Sequence, residues 1–363
     1  MRWWLLGCVG CVGCVALAAC GDNLPAPGQD APPCIGTLLF ACPERHELKP
    51  LVLDKELIAT DADRRCEGFH QDNGPQLCVI FGTTIDIGQV QVTGTKPLVL
   101  VARDTLRISN TVEVSSRRNS ISGPGANALE CDQSTLGAAD PAGGGGGAGG
   151  SFGTTGGTGG AGAAGAAGGT AGVAQPIITV IRGGCTGTRG GDGTLAGDGG
   201  LGGNGGGGIY LLSRGSIAIE SNGAIYASGA GGDGGNNATS DRGAGGGGGS
   251  GGLIALEAPT IIVDGILAAN GGAGGGGGDL ESGHPGDDGS TIAFDTPATP
   301  GAAEGATTGG AGGAGSALTT SPENGHAPTG TGAGGGGGGG TGVIWIRGGY
   351  QGGQRVSPPP QQH

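Results

Sequence analysis

Short apolar runs with alternating polar positions recur from residue 77 onward. Cys78-Val79-Ile80-Phe81, Ile85-Asp86-Ile87, Val90-Gln91-Val92, Leu98-Val99-Leu100-Val101, Leu106-Arg107-Ile108 and Val112-Glu113-Val114 alternate or are rich in β-branched residues, which predicts strands of three or four residues. The unit repeats. Leu98 to Ile108 (LVLVARDTLRI) aligns with Ile209 to Ile219 (IYLLSRGSIAI) at an offset of 111, and with Leu253 to Val263 (LIALEAPTIIV) at a further 44. A third strand follows each copy, at Val112-Glu113-Val114, Ile225-Tyr226-Ala227 and Leu267-Ala268-Ala269, and a half copy, Val343-Ile344-Trp345-Ile346, comes last. A period of 20–50 residues signals a stacked repeat.

The expected fold is therefore all-β. Four-residue strands about eight residues apart (Ile209, Ile217, Ile225) suit the coil of a three-sided parallel β-helix, a solenoid. The alternative is an antiparallel β-hairpin sandwich, because Asn222-Gly223 and Asp264-Gly265 stand between strands and such dipeptides make hairpin turns. The unit GLIALEAPTIIVDGILAANGG resembles the coils of haemagglutinin-type bacterial β-helices, and that resemblance favours the solenoid.

Glycine changes the picture between these units. The chain holds 94 Gly and 20 Pro in 363 residues, and an α-rich enzyme fold is excluded on that ground. Gly-rich tracts cover 143–172, 183–208, 229–252 and 271–342, inside a repeat domain of 77–350. Gly stands at every third position from Gly144 to Gly168, and from Gly184 to Gly208 with Ala196 the one exception. Three is the repeat of a polyproline-II-type helix. The tracts are expected either as polyglycine-II-like rods bonded to each other or as Gly-rich loops. A collagen triple helix is excluded by the scarcity of Pro between the glycines. In composition the tracts resemble the repeat region of PE-PGRS proteins.

The N-terminus reads as an export signal. Arg2 precedes an uncharged apolar stretch from Trp3 to Val15, too short to span a bilayer. It ends in Leu17-Ala18-Ala19-Cys20, which resembles the lipobox of bacterial lipoproteins. The resemblance implies removal of residues 1–19 as a signal peptide, a lipid anchor on Cys20, and the membrane as a partner. The residue after Cys20 is Gly21 rather than Asp, which in that family implies the outer membrane of the cell envelope. Residues 20–33 are polar and Pro-rich, as an extended tether would be. Residues 34–76 read as a disulfide-tied cap, and 351–363 as a disordered tail.

Ten Cys divide accordingly. Cys8, Cys11 and Cys14 leave with the signal and Cys20 takes the lipid, leaving Cys34, Cys42, Cys66, Cys78, Cys131 and Cys185 as candidates for three disulfides in an oxidising compartment. Fifteen connectivities exist, and pairing nearest neighbours closes the shortest loops. None of the six has the CxxC spacing of a zinc site.

The formal net charge is −13 with only three Lys (Lys49, Lys55, Lys96), so nucleic acid is not an expected partner. No catalytic constellation stands out. The sequence lacks GxxxxGK and GxSxG, and His46-Glu47 is followed by Pro50 where a zinc-protease helix needs His. Asp192, Asp198 and Asn204 recur at intervals of six, which along one threefold helix spaces them about 18–19 Å apart, too far for one ion. No metal, no cofactor and no catalysis are expected. The expected function is a lipid-anchored, glycine-rich envelope protein with a structural or adhesive role, with cell-surface polysaccharide or neighbouring cells as further partners. The alternative is a β-helix protein that binds or degrades polysaccharide.

Overall fold

In the computed structural model the described residues are 34–43, 47–120, 122–128, 131, 134–193, 198–236, 242–279, 282–289, 293–303 and 308–363. Residues 1–33, with the expected signal peptide, Cys20 and the expected tether, lie outside them. The strands are β1 (Leu51–Leu53), β2 (Glu56–Ala59), β3 (Glu67–Phe69), β4 (Leu77–Ile87), β5 (Val90–Thr93), β6 (Leu98–Ile108), β7 (Thr111–Glu113), β8 (Gly208–Ser213), β9 (Ser216–Ile219), β10 (Ala224–Tyr226), β11 (Leu253–Val263), β12 (Ile266–Ala268), β13 (Val343–Gly352), β14 (Val356–Ser357) and β15 (Gln361–Gln362).

They build two sheets. One runs β1-β4-β6-β8-β11-β13-β15, with β9 also between β6 and β11; the other runs β14-β12-β10-β7-β5-β2. Strand pairs are parallel throughout, apart from antiparallel β3 and β4. Register stacks like residues. Ile85, Leu106, Ile217 and Ile261 form one column of the first sheet, and Val90, Val112, Ile225, Leu267 and Val356 one column of the second. These columns belong to one buried core enclosed between the sheets. A second cluster covers the outer face of the first sheet, where Leu39 and Ala41 of the Cys34–Cys42 loop meet Val79, Val101, Tyr210 and Trp345.

This topology overturns the three-sided β-helix solenoid. Two sheets share the core, and 98–108 and 253–263 are single eleven-residue strands where the sequence suggested two short ones. A register shift between Glu257 and Thr260 absorbs the irregularity that looked like a corner. The antiparallel hairpin sandwich fails too. Asn222-Gly223 and Asp264-Gly265 carry the chain from one sheet to the other, and the strands they join pair in parallel with other copies. The all-β class stands: no α-helix occurs among the described residues.

Between β7 and β8, β10 and β11, and β12 and β13 the chain leaves the sheets and runs back and forth as extended rods. Their hydrogen bonds have a period of three. In 243–252, the N–H groups of Ala244, Gly247 and Ser250 donate to Gly191, Thr188 and Cys185. Those of Gly245, Gly248 and Gly251 donate to Gly334, Gly337 and Gly340, and those of Gly246, Gly249 and Gly252 to Asp233, Ala230 and Ala227. Its carbonyls accept from 200–206, 144–150 and 272–278. One rod thus has six neighbours. The rods 144–150, 271–278 and 332–342 are likewise surrounded on six sides, and ten more close a ring around these four: 134–140, 166–172, 153–162, 323–327, 309–316, 298–303, 283–289, 227–236, 198–207 and 184–192. The result is a honeycomb of rods in which the backbone bonds in all three lateral directions.

Six neighbours leave no room for side chains, and the four inner rods are accordingly almost pure Gly, with Ala, Ser or Thr at isolated positions. The chain crosses from sheet to honeycomb through buried polar residues. Ser115 Oγ accepts from the N–H of Ser228, Ser228 Oγ from that of Asn270, and Ser357 Oγ donates to Asn270 Oδ1. These side chains satisfy backbone groups where two-neighbour pairing gives way to six-neighbour pairing.

Residues 351–363 are not a disordered tail. β14 and β15 extend both sheets, the His363 N–H donates to Ile346, and the His363 ring stacks on Trp345 at 5.4 Å. The apolar edge of β13 recruits them, a pairing that the Pro-Gln composition concealed. The cap assigned to 34–76 is likewise integrated, since β1, β2 and β3 are the first strands of the two sheets. The six cysteines form Cys34–Cys42, Cys66–Cys78 and Cys131–Cys185.

Candidate functional site

A threefold rod points successive residues in three directions. In 153–162, a Cβ on Gly156 or Gly159 would strike the carbonyls of Gly149 or Gly146. A Cβ on Gly157 or Gly160 would strike those of Glu323 or His326. Only the third register, Thr155, Thr158 and Ala161, points away from the bundle, and all three are exposed. The flanking rods present the same register. Gly159 N–H donates to Gly169 at 2.9 Å and Gly325 N–H to Thr158 at 2.8 Å, which brings Ala167, Thr170 and Val173 to one side and Ser321, Asn324 and Ala327 to the other. The Thr158 N–H also donates to Asn324 Oδ1 at 2.8 Å.

These nine exposed residues form three rows of three on one side of the bundle. These nine residues carry no charge and no aromatic ring, and Glu323 and His326 are exposed on the rod at one edge. Its period along each rod is about 9 Å, set by three residues of a polyproline-II-type helix. The backing is rigid, because the glycines beneath are hydrogen-bonded to the inner rods 144–150 and 332–342. β-Branched Thr and Val add stiff side chains.

The opposite side differs in charge. There the outward register carries Arg189 and Asp192 on one rod, Asp198, Leu201 and Asn204 on the next, and Asp233 and Asp288 on two more. Arg189 lies 2.7 Å from Asp192 and 3.3 Å from Asp198, and Arg118 lies 3.3 Å from Asp233. The Arg118 and Gly231 N–H groups both donate to Asp288 Oδ1. Asp192 and Asp198 are therefore not stacked along a single helix: they sit on antiparallel rods and share one arginine. Among the described residues no group of three or more His, Cys, Asp or Glu is placed to hold a metal ion.

Near the sheets, Glu257 Oε2 accepts three hydrogen bonds. Tyr210 Oη donates to Glu257 Oε2 at 2.5 Å, and Thr37 donates to it through both Oγ1 at 2.6 Å and N–H at 3.1 Å. This pins the Cys34–Cys42 loop to the sheet. Burial, with the Glu257 carboxylate behind it, pushes the Tyr210 phenol far above its usual range. Arg103 pairs with its neighbour Asp104, and Arg107 with Glu220.

No protein-family model, curated protein or solved structure matches the chain. Cys20 lies outside the described residues, while the other six candidate cysteines are all bonded. The uncharged face was missed in the sequence, yet its signal is there. Between Gly153 and Gly162 two phases of the three-residue period are glycine at 156, 157, 159 and 160, and the third is Thr155, Thr158, Ala161.

Proposed function

We propose that the chain is a lipid-anchored, exported protein of the bacterial cell envelope with a structural or adhesive role, held at the outer membrane through Cys20. The tether 20–33 holds the folded part off the bilayer, and the three-row uncharged face of the rod bundle is the contact surface. That face carries the reading, because a stiff, flat, regular and neutral patch on a strongly acidic chain is suited to lateral contact with neutral surface material. Its small side chains leave the contacting polymer free to lie close.

Two measurements test this on the full-length protein in cells. Palmitate should label the wild type and be lost in Cys20→Ala; persistence of label removes the anchor. Surface adhesion of cells displaying the protein should fall in Thr155→Lys/Thr158→Lys/Thr170→Lys, with display level unchanged. Equal adhesion by that variant removes the contact face.

A further inference from the structure

Arg182 is 2 % exposed, and its guanidinium sits against a disulfide. Nη1 lies 3.5 Å from Cys185 Sγ and 3.6 Å from Cys131 Sγ, and donates to the Gly183 carbonyl at 3.1 Å. Nη2 donates to Gln175 Oε1 at 2.8 Å. The other face of the group covers the Phe152 ring, with Cζ 4.2 Å from its centroid. The cation is thus fixed from several sides, and both sulfurs of one bridge lie in its reach.

We propose that Cys131–Cys185 is a thiol–disulfide exchange site that accepts electrons from an external dithiol, with Arg182 as the group that holds the leaving sulfur. The two sulfurs differ in access, Cys131 being partly exposed and Cys185 only 4 % exposed. An incoming thiolate attacks Cys131 Sγ and forms a mixed disulfide. The S–S bond breaks, and its electron pair goes to Cys185 Sγ, which becomes a thiolate beside the guanidinium. The second thiol of the reductant then attacks the mixed disulfide and releases Cys131. The dithiol leaves as a disulfide, two electrons lighter, and its two protons pass to the protein thiols or to solvent. A neighbouring cation makes a thiolate a better leaving group and stabilises the reduced form, so the bridge is more easily reduced than one in a neutral setting. Cys66–Cys78 likewise joins a partly exposed cysteine to a buried one, but its buried partner Cys78 packs within the main apolar core, whereas Cys185 has the Arg182 guanidinium beside it.

Reduction would open the link between Cys131, just before the outer rod 134–140, and Cys185, at the head of the rod 184–192. Those rods would then be joined by lattice hydrogen bonds alone. The site is a place where the redox state of the compartment can act on one edge of the honeycomb.

The test is a redox titration of the purified full-length protein in buffers of reduced and oxidised dithiothreitol, with freed thiols tagged by a maleimide and mapped by mass spectrometry. Cys131 and Cys185 should be half reduced at a reduced-to-oxidised ratio about tenfold lower than Cys66 and Cys78, equivalent to about 30 mV for a two-electron couple. Simultaneous reduction of these bridges, or reduction of Cys131–Cys185 last, overturns the proposal. Arg182→Gln should raise the ratio needed by about tenfold while Arg182→Lys keeps it low; an unshifted Arg182→Gln also overturns it. Should the glutamine variant fail to fold, the reduced wild type decides through the pH dependence of iodoacetamide labelling at Cys185. A midpoint clearly below about 8.5, the ordinary thiol value, supports the site, and a midpoint at or above that value refutes it.

Discussion

Gly247 stands against the carbonyl of Ala148 so closely that a Cβ on Gly247 would lie inside the oxygen's envelope. The contact joins the central rod 243–252 to the rod 144–150, about a hundred residues earlier in the chain. Gly247→Ala should therefore destabilise by about 3 kcal/mol or more, since the six-neighbour packing gives the methyl nowhere to go. Thr158→Ala, on the outward register of an outer rod, should stay within about 0.5 kcal/mol. Urea unfolding followed by circular dichroism reads both, and similar midpoints for the two variants would contradict the honeycomb.

A partly buried ion pair links two inner rods at their ends. Arg242 Nε donates to Asp279 Oδ1 at 2.6 Å, and the Asp279 carboxylate is 2 % exposed. Asp279→Ala leaves the partly exposed guanidinium without this partner and should cost about 1–3 kcal/mol. Adding Arg242→Met should recover most of that loss. A double variant as unstable as the single one would show that the pair's role is not electrostatic.

High pH should weaken the fold through tyrosine. Burial raises the phenol pKa of Tyr226 and Tyr350 as well as that of Tyr210, in each case as the largest cause. A raised folded pKa keeps the proton on in the folded state while the unfolded chain releases it near pH 10, so stability is full below about pH 10 and falls as pH rises above it. Tyr210→Phe should flatten that fall. Denaturant midpoints at pH 9 and pH 11 measure the slope, and a slope that is the same in Tyr210→Phe would acquit Tyr210.

Loop length ranks the disulfides. Cys131–Cys185 closes a sequence separation of 54 and Cys66–Cys78 one of 12. By chain entropy the first is worth about 4 kcal/mol and the second about 3 kcal/mol. Paired Cys→Ser variants, unfolded under non-reducing conditions, should keep that order; the reverse order would place the larger effect in the native core around Cys78.

The core should respond in the ordinary way. Ile225 is 0 % exposed in the column with Val112 and Leu267, and Ile225→Ala should cost about 2–5 kcal/mol. Ile262, one position from the core register of β11, is 38 % exposed, and Ile262→Ala should cost far less. Comparable losses at the two positions would argue against the assigned facing of β11.

Much of the β scaffold was legible. The strand positions between residues 77 and 346 and the three copies of the unit follow from period-two patterning, and Leu106, Ile217 and Ile261 align in the sequence as they pair in the sheet, although which strands pair was not legible. What misled was the stretch from Arg103 to Thr105, whose polar residues suggested a corner although a bulged strand can run straight through such a place. Asn-Gly and Asp-Gly misled too, because they mark a turn and not what the flanking strands pair with. The tail at 351–363 was hidden because short strands recruited by a sheet edge need no pattern of their own. The glycine register was visible as a number, but which rod lies beside which is a property of contacts such as Gly247 with Ala148, a hundred residues apart.

The outer rod 153–162 keeps one phase of its period for residues with side chains, Thr155, Thr158 and Ala161, and those side chains oppose the addition of another layer there. The size of the bundle is thus written as a boundary condition. Glycine permits growth in every direction, and an outward phase filled repeatedly with larger side chains, as at Thr155 and Thr158, opposes it. A chain of this kind could gain or lose a there-and-back pair of rods between two strands and leave the sheets as they are, provided the new outermost rods carried the same terminating phase.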